Sequence, residues 1–85
     1  MADQKIKLYA LSTSGWCKKV KALLAELNVD YDCTDMDLLE GQEREEARAA
    51  LAKLNPRRSF PTLVAGDEVV VGFDKEKILR CLGVE

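Results

Sequence analysis

Hydrophobic and polar positions alternate at the start of the chain, a pattern that is typical of a β-strand. Within residues 5–12, Ile6, Leu8 and Ala10 fall on one side, whereas Tyr9 and the lysines fall on the other. A polar cluster of serine, threonine and glycine follows directly. We therefore predict a strand over residues 5–12 that runs into a loop.

From Cys17 onward the spacing of hydrophobic residues becomes that of a helix. The inward stripe of this helix consists of Val20, Leu23, Leu24 and Leu27. Ser14 or Gly15 is the expected N-cap, because serine and glycine are both favoured at that position. Asn28 is the expected C-cap, since asparagine tolerates the left-handed backbone that ends many helices.

A second strand and a second helix are predicted in the middle of the chain. Residues 29–34 alternate between apolar and polar positions, which predicts a half-buried strand with Cys33 on its apolar side. Residues 43–54 predict a helix, which Asn55 and Pro56 end. The apolar stripe of this helix consists of Ala47, Ala50, Leu51 and Leu54.

Two short strands and a last helix complete the pattern. Residues 60–65 and 69–71 predict strands, which a two-residue hairpin turn at Gly66 and Asp67 joins. Residues 75–82 predict a helix. Its expected N-cap and inward positions are Asp74, Ile78, Leu79 and Leu82.

The order of these elements, βαβαββα, predicts the fold. A strand–helix–strand start implies a parallel pair joined by a right-handed crossover, and the hairpin adds an antiparallel edge. We therefore predict an α/β protein with a thioredoxin-like fold, in which three helices cover a four-stranded mixed sheet. A length of 85 residues allows one domain, expected to cover residues 1–85.

Composition and charge exclude several functions. The chain has no histidine, which rules out Ser-His and Cys-His catalysis and two-histidine metal sites. The formal net charge of −2 argues against nucleic acid as the partner. No apolar run approaches the ~18 residues of a membrane span, and the start of the chain has no apolar signal region. We expect a cytoplasmic monomer whose three cysteines are reduced.

Three segments of the chain resemble the glutaredoxin family. Residues 8–10 and 14–24 resemble the active-site strand, loop and helix, and residues 60–62 (Phe-Pro-Thr) resemble the cis-proline segment. Residues 71–74 resemble the glycine turn and third-helix start, in the form found in small bacterial glutaredoxin-like redoxins. The likeness covers nearly the whole chain. It implies a thiol–disulfide oxidoreductase that exchanges thiols with glutathione or with a protein disulfide.

The chain departs from this family at the reactive position. Where the family has Cys-x-x-Cys or Cys-x-x-Ser, this sequence has Ser-Gly-Trp-Cys at residues 14–17. Ser14 stands at the position of the attacking cysteine, and Cys17 at that of the second, resolving cysteine. Ser14 is either a natural variant or a replacement of cysteine, and the additional change to Gly15 favours a natural sequence.

Ser14 and Cys17 are the predicted catalytic residues, each with a second interpretation. Ser14 is expected either to hydrogen-bond a glutathione or substrate thiol, as in serine-type glutathione transferases, or to cap the helix; one oxygen can do both. An open helix N-terminus stabilises a thiolate, but the effect fades within the first turn. Cys17, expected to be half covered, is therefore either a weak nucleophile or an inert thiol.

The resemblance also implies contacts for glutathione. In the family the proline matching Pro61 is cis and leaves the preceding backbone, here that of Phe60, able to pair with an extended peptide; an ordinary trans turn proline is the alternative. The helix start at Asp74 would hold the γ-glutamyl end, and Arg57 or Arg58 would pair with the glycine carboxylate or lie in a solvated loop. The predicted substrate-binding residues are Trp16, Arg57, Arg58, Phe60, Pro61, Gly72, Phe73 and Asp74.

A second function stays open beside the oxidoreductase: a redox-inactive module that binds glutathione or a protein on the same fold. Iron–sulfur ligation of the monothiol type would need the missing N-terminal cysteine. We expect no metal site and no bound cofactor, with glutathione as the possible co-substrate. Cys33 and Cys81 are expected to be small apolar packing residues.

Overall fold

A computed structural model describes residues 5–83 and contains a four-stranded mixed sheet. Its strands are β1 (Ile6–Ala10), β2 (Asp32–Asp35), β3 (Thr62–Ala65) and β4 (Glu68–Val71). Their order across the sheet is β2-β1-β3-β4. Strand β1 is parallel to β2 and antiparallel to β3, which in turn is antiparallel to β4. The predicted element order and the mixed sheet are therefore confirmed.

Three helices cover the two faces of this sheet. They are α1 (Gly15–Glu26), α2 (Gly41–Leu54) and α3 (Lys75–Leu82), and a short 3₁₀ helix (Met36–Leu38) precedes α2. Buried residues of α1 and α3 pack with one face of the sheet, and Leu51 of α2 packs with the other. No helix within residues 5–83 is long and apolar enough to cross a membrane.

The alternation along β1 places its side chains in two separate apolar clusters. Leu8 and Ala10 belong to the larger cluster, between the sheet and the helices α1 and α3. Tyr9 points to the opposite face and packs with Met36 and Leu51 under α2. This arrangement confirms the predicted two-sided strand, and it places the end of β1 between both layers of helices.

The middle of the chain differs from the sequence prediction. Helix α2 begins at Gly41, before the predicted residue 43, and its apolar face is narrower because Ala50 and Leu54 are exposed. Cys33 is exposed and is not the packing residue that was predicted. It pairs in register with Leu8, but β2 is the edge strand and so its side chains are covered from fewer directions.

Helix α3 and the hairpin agree with the prediction. Helix α3 has the predicted bounds, and the Asp74 carboxylate accepts a hydrogen bond from the Lys77 N–H at 3.2 Å. The turn at Gly66 and Asp67 joins β3 to β4. Strand β3 begins at Thr62, after the predicted residue 60, because the preceding proline has no N–H to donate to the sheet.

Candidate functional site

The N-terminus of α1 opens at Ser14. Ser14 has an extended backbone, and its Oγ accepts a hydrogen bond from the Cys17 N–H at 3.3 Å. The Ser14 N–H donates to the Leu11 carbonyl at 3.1 Å, which closes the preceding loop. These contacts confirm the prediction that Ser14 caps the helix. Its hydroxyl hydrogen can still be donated to a ligand.

Cys17 lies beneath this opening and is fully buried, with 0% of its surface exposed. Its side chain faces the sheet from the same side of α1 as Val20 and Leu24, three and seven residues further on. The Cys17 sulfur accepts a hydrogen bond from the Leu11 N–H at 3.4 Å. The expectation of a half-covered thiol is therefore wrong, because this helical face belongs to the core.

Asp37, in the short 3₁₀ helix, holds the loop between β1 and α1. Its carboxylate accepts hydrogen bonds from the Ser12 hydroxyl at 2.5 Å and from the Ser12 N–H at 2.8 Å. These two bonds lower the pKa of Asp37 below its ordinary value, the hydroxyl contributing most. The contact joins residues 25 positions apart in the chain, so no local sequence signal could have revealed it.

The segment before β3 forms the second wall of the site. The Phe60-Pro61 peptide bond is cis, as predicted. Pro61 is buried, and its carbonyl accepts a hydrogen bond from the Gly72 N–H at 2.8 Å, which ties this wall to the turn before α3. Phe60 packs against both apolar clusters. Within residues 5–83, the backbone N–H and C=O of Phe60 have no hydrogen-bond partner.

Asn55 fixes the shape of this segment, a role that the sequence analysis missed. It is 5% exposed, and its amide nitrogen donates to Ser59 Oγ and to Thr62 Oγ1, each at 3.1 Å. The Thr62 hydroxyl donates to the Ser59 carbonyl at 2.8 Å. The Asn55 side-chain oxygen accepts the Arg57 N–H at 3.2 Å. The sequence indicated only that Asn55 ends a helix.

Two aromatic side chains join the α1 N-terminus to the turn before α3. The Trp16 and Phe73 rings stack with centroids 6.2 Å apart and planes 28° apart. Trp16 is 57% exposed, and the Lys19 ammonium lies 4.7 Å from its ring centroid. Gly72, with φ +82°, turns the chain into this contact. Ser14 therefore caps the helix two residues before the Trp16–Phe73 contact, and Phe60 and Phe73 both pack against the cluster that contains Cys17.

The two arginines predicted to bind a carboxylate differ in position. Both are exposed, and the Arg58 N–H donates to the Asn55 carbonyl at 2.8 Å. Arg58 has a left-handed backbone, with φ +52°. Arg58 and Phe60 line a cavity of about 260 Å³, of which Arg57 is not a lining residue.

The two other cysteines lie on other elements, Cys33 on β2 and Cys81 on α3. Partial burial of its side chain raises the pKa of the Cys33 thiol, and the neighbouring Asp35 carboxylate raises it further. Burial likewise raises the pKa of Cys81, with a smaller contribution from Glu68. Within residues 5–83 no disulfide joins these cysteines, and no group of three His, Cys, Asp or Glu side chains could hold a metal ion.

Native-state alkylation is expected to distinguish the thiols. Iodoacetamide should modify Cys33 well before Cys17, because Cys33 is exposed and Cys17 is buried. The raised pKa leaves less Cys33 thiolate at neutral pH, so its alkylation rate should keep rising as the pH passes the ordinary range for a thiol. Timed quenching followed by peptide mass spectrometry measures both rates, and urea-unfolded chain serves as the control. Equal rates for the two cysteines in the folded chain would contradict the burial of Cys17.

Comparison with known proteins places this arrangement in a family. The glutaredoxin family model matches residues 6–70. An uncharacterised glutaredoxin-like 8.6 kDa protein from the rubredoxin operon of Clostridium pasteurianum is 34% identical over 74 residues, which are 86% of this chain and 91% of that protein. The crystal structure of Methanosarcina acetivorans methanoredoxin is 42% identical with a TM-score of 0.88, and the match covers 93% of this chain and 84% of that one. The predicted thioredoxin-like fold is thereby confirmed.

A further relative contains this domain within a longer protein. Glutathione S-transferase Z1 of Arabidopsis thaliana is 32% identical over 68 residues, which are 80% of this chain but only 29% of the transferase. The chain thus spans less than a third of that protein. The family match, together with the matching relatives and fold, supports a function of the thiol–disulfide oxidoreductase type, and the chain belongs to the glutaredoxin family.

Proposed function

We propose that this chain is a glutaredoxin-type protein that binds glutathione, or a cysteine peptide of similar shape, without forming a covalent bond to it. The proposal rests on where the hydroxyl and the thiol lie at the N-terminus of α1. A hydroxyl, that of Ser14, occupies the open end of the helix, whereas the thiol of Cys17 is fully buried. The ligand sulfur would therefore meet an oxygen atom.

In this proposal the sulfur atom of the ligand lies next to the Ser14 hydroxyl. Its Oγ already accepts the Cys17 N–H, and its hydrogen would be donated to the ligand sulfur. Attack by the hydroxyl is not part of the proposal, because a serine nucleophile needs a base and the chain has no histidine. Ser14 would thus hold and orient the thiol or disulfide.

The peptide backbone of the ligand would lie along Phe60. The N–H and C=O of Phe60 have no partner within the described chain, so an extended peptide can pair with them as an added strand. Trp16 and Phe73 would border the ligand on the side of α3.

The two charged ends of glutathione would be held on opposite sides of Phe60. The start of α3 at Asp74 offers backbone N–H groups and the positive end of the helix dipole to the γ-glutamyl carboxylate. The guanidinium groups of Arg57 and Arg58 would compensate the glycine carboxylate. The similarity to a protein named glutathione S-transferase supports glutathione as the ligand class.

An NMR titration tests this assignment. Reduced glutathione should shift the backbone amides of residues 14–17, 60 and 72–74, with an affinity near millimolar, or ~4 kcal/mol. Ser14→Ala should weaken binding severalfold, whereas Thr13→Ala, the matched change one residue earlier in the loop, should not. Shifts confined to the acidic residues 30–46, or the absence of any shift, would contradict the proposal.

The second candidate function is one-thiol exchange through Cys17. Family membership favours it, and so does the hydrogen bond from the Leu11 N–H to the Cys17 sulfur. In this reaction the Cys17 thiolate attacks a disulfide, forms a mixed disulfide with one half and releases the other half as a thiolate. The loop over Cys17 would have to open first, because that thiol is buried.

A further inference from the structure

Strand β2 forms an open edge of the sheet, away from the residues assigned to glutathione. The strand order is β2-β1-β3-β4, so β2 pairs with β1 alone. Within residues 5–83, the backbone of residues 32–35 forms no other backbone hydrogen bond, and Asp32 and Cys33 are exposed. An edge strand presents N–H and C=O groups that a further strand can pair with. This edge can therefore accept an extended peptide.

A groove lies beside this edge on the side of α2 and has a volume of about 320 Å³. Tyr9 and Thr34, which are opposite each other in β1 and β2, line it from the sheet, and Ala47 and Ala50 line it from α2. The Lys7 ammonium lies 5.0 Å from the Tyr9 ring centroid. No lining residue of this groove lines the cavity of 260 Å³ described above or belongs to the residues assigned to glutathione. The groove is therefore a separate surface.

The carboxylates of this groove outnumber its cations. Glu43 and Glu46 are three residues apart on one face of α2, and both line the groove. Asp32 lies on the same side of β2 as the groove, because it is opposite Lys7, the cation of the lining. Within residues 5–83, none of these three carboxylates forms an ion pair, and Glu46 accepts a hydrogen bond from the neutral Gln42 amide at 3.0 Å. The surface thus favours a positively charged partner.

A second copy of the chain does not suit this edge. Two of the four residues of β2 are aspartates, and the groove beside it contains two glutamates. Pairing β2 with the β2 of another copy would place negative charge against negative charge, and like charges opposite each other destabilise paired strands. Lysine or arginine side chains on one side of an added strand would instead face these carboxylates.

We propose that the β2 edge and its groove form a docking surface for an extended basic segment of a partner protein. The segment would pair with β2 through backbone hydrogen bonds. Its alternate side chains, lysine or arginine, would point toward α2 and reach Asp32, Glu43 and Glu46. The side chains between them would be neutral, because on the α1 side of β2 the Lys21 ammonium already pairs with Asp35 at 2.9 Å.

An NMR titration with a capped hexapeptide that alternates lysine and valine tests the proposal. The peptide should shift the amides of residues 32–35 and 43–50, and the β2 amides should exchange with solvent severalfold more slowly when it is bound. A control peptide with three lysines followed by three valines has the same composition but cannot place all its lysines on one side. It should bind at least fivefold more weakly. Equal binding of the two peptides, or no binding of the alternating one, would overturn the proposal.

Two double variants locate the binding. Glu43→Gln combined with Glu46→Gln should weaken binding of the alternating peptide about fivefold. Glu45→Gln combined with Glu76→Gln removes the same charge from exposed positions outside the groove and should change binding less than twofold. Equal effects of the two would indicate non-specific attraction and contradict the site. Glutathione binding by the first variant should be unchanged, so failure of this proposal can be distinguished from failure of the proposed function.

Discussion

Replacing Ser14 by cysteine is expected to raise glutathione-dependent disulfide reductase activity by orders of magnitude over the unmodified chain. The new thiol would stand at the open end of α1, where the Ser14 oxygen now accepts the Cys17 N–H. Backbone N–H groups at a helix N-terminus lower the pKa of a thiol and thereby raise the thiolate fraction at neutral pH. Turnover of a glutathione mixed disulfide, coupled to glutathione reductase, measures the activity.

The matched control for this variant is Thr13→Cys. Thr13 is exposed and lies in the same loop, one residue before the cap. A cysteine at residue 13 should give little activity, because it gains exposure without the helix terminus. If the two cysteine variants were equally active, exposure alone would decide reactivity. If Ser14→Cys were as inactive as the unmodified chain, the groove would serve binding only.

The second large effect is expected on stability, from Asn55→Ala. This change removes the hydrogen bonds from the buried Asn55 amide to Ser59 and Thr62, and it leaves the buried Thr62 hydroxyl with its bond to the Ser59 carbonyl alone. A loss of about 2–3 kcal/mol in the free energy of unfolding is expected, which for a domain of this size lowers Tm by roughly 10 °C or more. Urea and thermal unfolding measure both quantities. Gln42→Ala, at an exposed position near the start of α2, should change stability little.

A double-mutant cycle with Thr62→Val tests whether these bonds act as a network. Thr62 both accepts from Asn55 and donates to the Ser59 carbonyl. The two substitutions should therefore destabilise the chain by less in combination than the sum of their separate effects. Strict additivity, or an Asn55→Ala variant as stable as the Gln42→Ala control, would contradict the role given to Asn55.

Most of the fold was predictable because it rests on local patterns. The alternation of β1 and the helical stripe of α1 reflect which positions are buried. The cap at Ser14, the cap at Asp74 and the hairpin turn each depend on a few adjacent residues. The middle of the chain was less predictable. An edge strand buries fewer of its alternating side chains, and a helix with a weak apolar stripe does not mark its own start.

The residues of the candidate site could be predicted more fully than the burial and contacts of their side chains. The cis bond before Pro61 followed from the family resemblance and is confirmed. The full burial of Cys17 did not follow, because a helical stripe alone does not determine how deeply a residue on it is covered. The contact of Ser12 with Asp37 joins distant segments. Only the folded arrangement brings these groups together.

We propose that the folded chain contacts a thiol or disulfide ligand with the Ser14 hydroxyl and not with the Cys17 sulfur. The most direct test is to incubate the folded chain with glutathione disulfide, quench with acid and map the mixed disulfides by peptide mass spectrometry, with Ser14→Cys as the positive control. We predict glutathione on residue 14 of the variant and none on Cys17 of the unmodified chain, whose groove amides still shift on binding. A mixed disulfide at Cys17 of the folded, unmodified chain would contradict the account.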